Sequence, residues 1–506
     1  MKDSRTTLVS VLLAMMFVVL VAGGTAVLYA APKSQAAPET STINPDDILC
    51  RFGVNAVEGG TVGSLPDLGA GWYMNFTAQS NPSRPEGIEY MPVIRFQPSP
   101  ASPGYTYTPS GTALQQTIAN NPGAKWLVSN EPDSVWQDNL TSDVYARAYN
   151  ELYHLIKSAD PDAQVVPGSI IQATPVRLLY LDRILTSYYN QFHTTLPADG
   201  WSIHNYILNE ENCAVDPGEP GCWGADIPPD FRNDPAWLYG EVWGLKDTDR
   251  LEIFVERITR FRQWMADRGY RGLPLYLTEY GVLFPPDYAD ENGQYFTLAR
   301  VNTFMNLTFN YMRAATDPVL GDPNDEYRMV QQWSWYSTTD VTYNGVLFDP
   351  ISLQPTAVGQ NFANYTAVLN REVDFYPVSV SGGGFSALSQ GEPVTVTLRA
   401  RVANSGNLTA PAAATVRFHN GSPSSGGVPI GPAQNVNLSG CGEFQSLSVT
   451  WPDVPPGRYN IYVQVTPAAG IIDADTSNNV AVGQIVVGTH HTFLPTVQHL
   501  VLPPVQ

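Results

Sequence analysis

Cysteine is scarce, with 4 in 506 residues, too few for a disulfide-dense scaffold to stand in for a hydrophobic core. Histidine is scarce as well. The 7 histidines form no cluster at ligand spacing, which argues against a histidine-built metal centre, and no cofactor is implied. Basic residues are few: 27 Lys and Arg against 47 Asp and Glu give a net charge of -20. Such a chain repels nucleic-acid phosphates and anionic membrane surfaces, so nucleic acid is excluded as a partner while neutral polymers are not. With 43% hydrophobic and 11% aromatic residues, the chain can bury a large core, and its length suits two domains better than one.

The uncharged run from Leu8 to Ala30 follows Lys2 and Arg5, and Gly24-Thr25-Ala26 offers a small-residue cleavage site. This is the pattern of an export signal, and its length also allows an uncleaved membrane anchor. Either way the expected location is extracellular or at the cell surface, where disulfides persist. Cys213 and Cys222, bracketing a turn-rich stretch, are the expected pair; Cys50 and Cys441 are either bridged or both free.

After a Pro/Ser/Thr-rich linker over 31–48, short apolar runs alternate with segments of helical period. Strands are expected near Phe52 to Asn55, Gly71 to Phe76, Met91 to Phe96, Lys125 to Ser129, Gln164 to Gly168, Gly200 to Tyr206, Pro274 to Glu279 and Met329 to Trp335. Helical stripes run between them, as with Phe254, Ile258, Phe261 and Met265 at spacings of three and four. The expected fold class is α/β, a (β/α)8 barrel over 49–370, whose active site would lie at the C-terminal ends of the strands. From about Asp374 two-residue alternation takes over, as in Val394, Val396, Leu398, Ala400 and Val402, so an immunoglobulin-like sandwich is expected over 374–487, with a tail over 488–506.

Two carboxylates stand at expected strand ends. The fourth strand closes in Asn130-Glu131-Pro132 and the seventh in Thr278-Glu279-Tyr280. These strands face each other across a barrel, so the two side chains can approach to about 5 Å, the spacing that suits retention of configuration in glycosidic cleavage. These two segments resemble glycoside hydrolase clan A, the retaining barrel glycosidases, over roughly residues 50 to 370. The resemblance implies that Glu131 is the general acid and base, that Glu279 is the nucleophile, and that Asn130 hydrogen-bonds the sugar 2-hydroxyl. Similarly, Val396-Thr397-Leu398-Arg399-Ala400-Arg401-Val402-Ala403-Asn404-Ser405-Gly406 and Asp475-Thr476-Ser477-Asn478-Asn479 resemble the CARDB family of bacterial surface modules, which implies a spacer or adhesion role.

Further site candidates follow from strand alternation. His204 and Tyr206 point to one side of the sixth strand; the clan resemblance implies that Tyr206 hydrogen-bonds the nucleophile, while His204 either orients a carboxyl or binds sugar. Trp333 and Trp335 share one face of the eighth strand, and the resemblance implies that one of them floors the sugar subsite. Arg95, a charge in an otherwise apolar third strand, needs a partner, and its expected role is to hold Glu279 ionised. The expected partner is an oligo- or polysaccharide, β-linked by the resemblance, with neither sugar nor linkage specified; oligomeric state is left open. The competing reading is a non-catalytic carbohydrate-binding surface protein with a degenerate barrel.

Overall fold

The computed structural model describes residues 49–57, 59–212, 224–369, 372–383, 393–406, 411–440 and 443–487. The N-terminal apolar run, the 31–48 linker, Cys213, Cys222, Cys441 and the 488–506 tail lie outside the described residues. Among those described, no helix is long and apolar enough to cross a membrane. Cys50 is disulfide-bonded.

Strands and helices alternate from Phe52 to Thr366 among the described residues, roughly as the periodicity suggests. The order is β1 (Phe52–Asn55), α1 (Leu65–Leu68), β2 (Trp72–Met74), β3 (Glu89–Tyr90), β4 (Val93–Pro98), β5 (Tyr105–Thr108), α2 (Gly111–Asn120), β6 (Lys125–Asn130), α3 (Ser142–Ala159) and β7 (Gln164–Ser169). Then come α4 (Pro175–Phe192), β8 (Trp201–His204), α5 (Leu251–Asp267), β9 (Leu275–Tyr280), α6 (Leu298–Ala314), β10 (Gln332–Trp335) and α7 (Ala357–Thr366). One sheet runs β3-β2-β1-β10-β9-β8, and a second runs β5-β4-β6-β7. All pairings are parallel except that of β5, which folds back on β4. β5 and the break in the third strand at Met91-Pro92 are not apparent from alternation; proline withholds the donor that a continuous ladder needs there. The two sheets are joined at one end by that break. At the other, a parallel bridge links Ile170 to Ile203, and the His204 N–H donates to Ile170 O at 2.8 Å.

The strands separate two apolar layers. Trp72, Met91, Val93, Leu127, Val166 and Tyr276 pack together on one side, and Gly53 is a glycine because a Cβ there would strike the Trp72 ring at 2.2 Å. Residues of the opposite parity, such as Phe52, Val54, Trp126, Val165, Ile203 and Leu277, pack against the helices. On α5 the stripe Phe254, Ile258, Phe261 and Met265 is fully buried, at about 1.5–3 kcal/mol per side chain.

Residues from 373 onward form a separate apolar cluster. β11 (Phe375–Gly383), β12 (Val394–Asn404) and β15 (Glu443–Val454) make one antiparallel sheet; β13 (Ala412–Asn420), β14 (Val428–Leu438), β16 (Gly457–Pro467) and β17 (Val480–Val487) make the other. This sandwich touches the N-terminal ends of the parallel strands. Phe444 lies against Gly123, and Arg401 stacks on Phe444 at 4.0 Å while pairing with Asp162 at 2.5 Å. Gly123 and Asp162 immediately precede β6 and β7, so the opposite ends of the strands remain clear of these contacts.

Candidate active site

The C-terminal ends of β6, β8 and β9 bring three ionisable side chains together. Glu131, His204 and Glu279 each present a ligand atom within 4.8 Å of the others, and all three residues are at most 8% exposed. Local backbone irregularities aim both carboxyls. Ser129 and Glu131 have φ of 96° and 47°, a left-handed conformation that costs a non-glycine residue about 1–2 kcal/mol and turns the chain sharply at the end of β6.

On β9 a bulge does the same work. Leu277 pairs with Ile203 on one side and Trp333 on the other, but the next pairs are Glu279 with His204 and Tyr280 with Trp335. Thr278 is therefore an extra residue, which shifts Glu279 out of the helix-facing parity of Leu275 and Leu277 and re-aims it toward His204. The Thr278 hydroxyl is tied down by Ser169 at 2.5 Å.

His204 is completely buried between the carboxyls, with Nδ1 2.8 Å from Glu131 Oε1 and Nε2 3.7 Å from Glu279 Oε2. Burial alone would lower the imidazole pKa, but the charge of Glu279 and the hydrogen bond with Glu131 outweigh it and raise it. The Tyr206 hydroxyl donates to Glu279 Oε1 at 2.7 Å. Burial raises the Glu279 carboxyl to about 7; His204 opposes this, the charge of Glu131 adds to it, and the Tyr206 hydrogen bond and Arg95 oppose it. Two carboxylates and an imidazole are also a donor set that a divalent cation could use.

The remaining candidates divide. Asn130 ends β6 and pairs in register with Ser169, and its carboxamide has no hydrogen-bond partner among the described residues. Arg95 does not touch Glu279. Its Nε donates to Asp138 at 2.7 Å and an Nη to Gln137 at 2.8 Å, and among the influences on Glu279 it is the weakest. The expectation that Arg95 holds Glu279 ionised is corrected to this extent: a carboxylate in direct contact captures the guanidinium before a more distant one can. Neither Trp333 nor Trp335 floors a site. Trp333 packs on Phe52 at 4.7 Å and Trp335 on Tyr280 at 5.3 Å, both in the helix-facing layer. The reason is parity: Gln332 faces inward, bonded to Lys125 and Glu89, so odd-numbered residues of β10 face the helices.

Inward parity past the strand falls on Tyr336, which the sequence reading did not single out. Its ring lies 6.4 Å from Tyr206, 6.4 Å from Phe76 and 6.1 Å from Tyr343, and its hydroxyl donates to Asp340 at 2.8 Å. Also missed was the buried Arg177, which binds the Asp133 carboxylate, Glu210 Oε1 at 2.5 Å and the carbonyls of Ala225 and Asp226 at 3.1 and 2.7 Å. A lone cation among Val176, Tyr180, Leu181 and Ile184 on α4 was the available signal, since a charge on an apolar stripe requires a buried partner.

No family model matches the chain, and no curated protein does. Solved structures do resemble it. A GH128 (subgroup I) endo-β-1,3-glucanase from Amycolatopsis mediterranei, in complex with laminaritriose, is 15% identical with a TM-score of 0.40, over 62% of this chain and 99% of that one. A subgroup II endo-β-1,3-glucanase from Pseudomonas viridiflava matches at 15% identity and TM-score 0.40, over 62% and 96%. The CARDB domain of a Pyrococcus furiosus protein, in complex with di-metal ions, matches 23% of this chain and 88% of its own at 19% identity and TM-score 0.18. Likenesses this loose leave the chemistry to be argued from this chain's own residues.

Proposed function

We propose that the chain is an exported retaining glycoside hydrolase whose parallel strands close into a (β/α)8 barrel, with Glu279 as nucleophile and Glu131 as general acid and base. The observation that carries the reading is the buried carboxyl pair, with an oxygen of each within 4.8 Å at the C-terminal ends of parallel strands, where such folds place their chemistry. The donors divide unequally. Glu279 accepts from the Tyr206 hydroxyl at 2.7 Å, an obligate donor here, whereas Glu131 meets His204 Nδ1 at 2.8 Å, which donates or accepts according to the imidazole tautomer. Hydrogen bonds to the charged form favour it, so Glu279 is the better-supported carboxylate. The first step also needs a proton on Glu131, whose Oε1 lies 2.8 Å from His204 Nδ1. One carboxyl is then an acid and the other an anion, as the first step requires.

In that step the carboxylate of Glu279 attacks the anomeric carbon, the glycosidic C–O bond breaks, and Glu131 gives its proton to the leaving oxygen. In the second, Glu131 takes a proton from water as the water oxygen displaces Glu279. Incubation with laminarin, β-1,4-glucan, xylan and galactan should release reducing ends, and a 2-fluoro glycosyl fluoride of the responsive sugar should label Glu279. Release by the Glu279→Ala variant at the wild-type rate would overturn the assignment.

A second reading, hydrolysis by a metal ion held on the same three side chains, is favoured by the convergence of the donors. Loss of activity on dialysis against EDTA with recovery on adding zinc would select it. Binding of a polysaccharide with no release of reducing ends would favour the non-catalytic surface protein. The sandwich is proposed as a CARDB-like surface module, and export through the N-terminal run is tested by locating the protein in culture fractions.

A further inference from the structure

The turn that follows Glu131 is built as a pedestal. Asp133 is fully buried, and Arg177 grips its carboxylate and donates to its carbonyl at 3.2 Å. Asp138, also fully buried, accepts from the N–H groups of Phe96 and Asn130 at 3.0 and 2.9 Å, from the Ser129 hydroxyl at 2.8 Å, and from Arg95 at 2.7 Å. Within the turn, Ser134 N–H donates to Glu131 O, Gln137 N–H to Ser134 O, and Leu140 N–H to Pro132 O. Between the two anchors stands Trp136, 71% exposed, with no ring stacked on it among the described residues. A single exposed apolar residue is ordinary on a protein surface. Here, however, two arginines and two buried aspartates immobilise a short turn, and the residue at its tip is the side chain with the largest flat face.

We propose that Trp136 is the stacking platform for the sugar on the leaving-group side of the cleaved bond, so that the substrate is a chain continuing past the cleavage point and not a glycoside with a small aglycone. This rests on the retaining-glycosidase reading above. The occupant follows from chain continuity. Glu131 must touch the oxygen that leaves, so the departing sugar lies over the turn that Glu131 begins, and five residues keep Trp136 within roughly 17 Å of it. A neutral sugar suits a surface whose net charge of -20 would repel an anionic one. The same platform holds an acceptor sugar during the second step. The acceptor's hydroxyl oxygen then bonds to the anomeric carbon, the ester bond to Glu279 breaks, and the hydroxyl proton passes to Glu131.

The test compares two substrates of one sugar: the 1,3- and 1,4-linked hexaoses of glucose, galactose and xylose, and the corresponding β-glycosyl fluorides, which lack an aglycone. For the responsive sugar, Trp136→Ala should lower kcat/KM on the hexaose roughly three- to tenfold more than on the fluoride. The same variant should lower the ratio of transfer to hydrolysis when free acceptor sugar is added, and Trp136→Phe should restore both. Equal loss on hexaose and fluoride would place Trp136 in the fold or the chemistry and overturn the proposal, as would no loss on the hexaose. Wild-type protein inactive on every substrate of both kinds would instead overturn the glycosidase reading on which the proposal rests.

Discussion

Replacing Tyr206 with phenylalanine removes one oxygen, the donor that meets Glu279. The hydroxyl donates to Glu279 Oε1 at 2.7 Å in a buried setting. A hydrogen bond to a charged group is worth about 1.5–3 kcal/mol, and each pKa unit is about 1.4 kcal/mol, so losing it should raise the Glu279 carboxyl by about one to two units. The sign is set by which form reacts. The nucleophile must be ionised, activity is lost as pH falls through its pKa, and weakening the anion moves that loss to higher pH. The assay is kcat/KM against pH on a dinitrophenyl glycoside, whose leaving group needs no proton, so that Glu131 drops out of the profile. The acidic limb should shift upward by about one to two units, with the plateau at high pH reduced far less. An acidic limb displaced by less than about half a unit would refute the claim that Tyr206 supports the charge of Glu279.

Glu131→Ala should lower kcat/KM on alkyl glycosides by about two to four orders of magnitude while sparing kcat/KM on dinitrophenyl glycosides, whose turnover then becomes limited by the second step; comparing the two leaving groups checks it. Arg177→Met leaves Asp133 and Glu210 without their shared cation, and breaking a buried pair in this way costs about 3–5 kcal/mol, measurable by urea titration. Trp333→Ala should destabilise the fold by about 3–5 kcal/mol and leave KM for oligosaccharides unchanged in the protein that remains folded. A raised KM would return Trp333 to the sugar site.

The sequence by itself determined the alternation of strands and helices, because periods of two and near four are properties of local geometry that survive without tertiary contacts. It also marked the segments that carry Glu131, His204, Tyr206 and Glu279, since strand ends are legible from where apolar alternation stops. Tertiary structure decided the rest. A bulge at Thr278, invisible to alternation, turns Glu279 inward, and pairing across β10 sends Trp333 and Trp335 to the helices, leaving the inward position to Tyr336. Arg95 met Asp138 first, because which of several carboxylates a cation reaches depends on how the loops fold back, and no spacing along the chain encodes that distance.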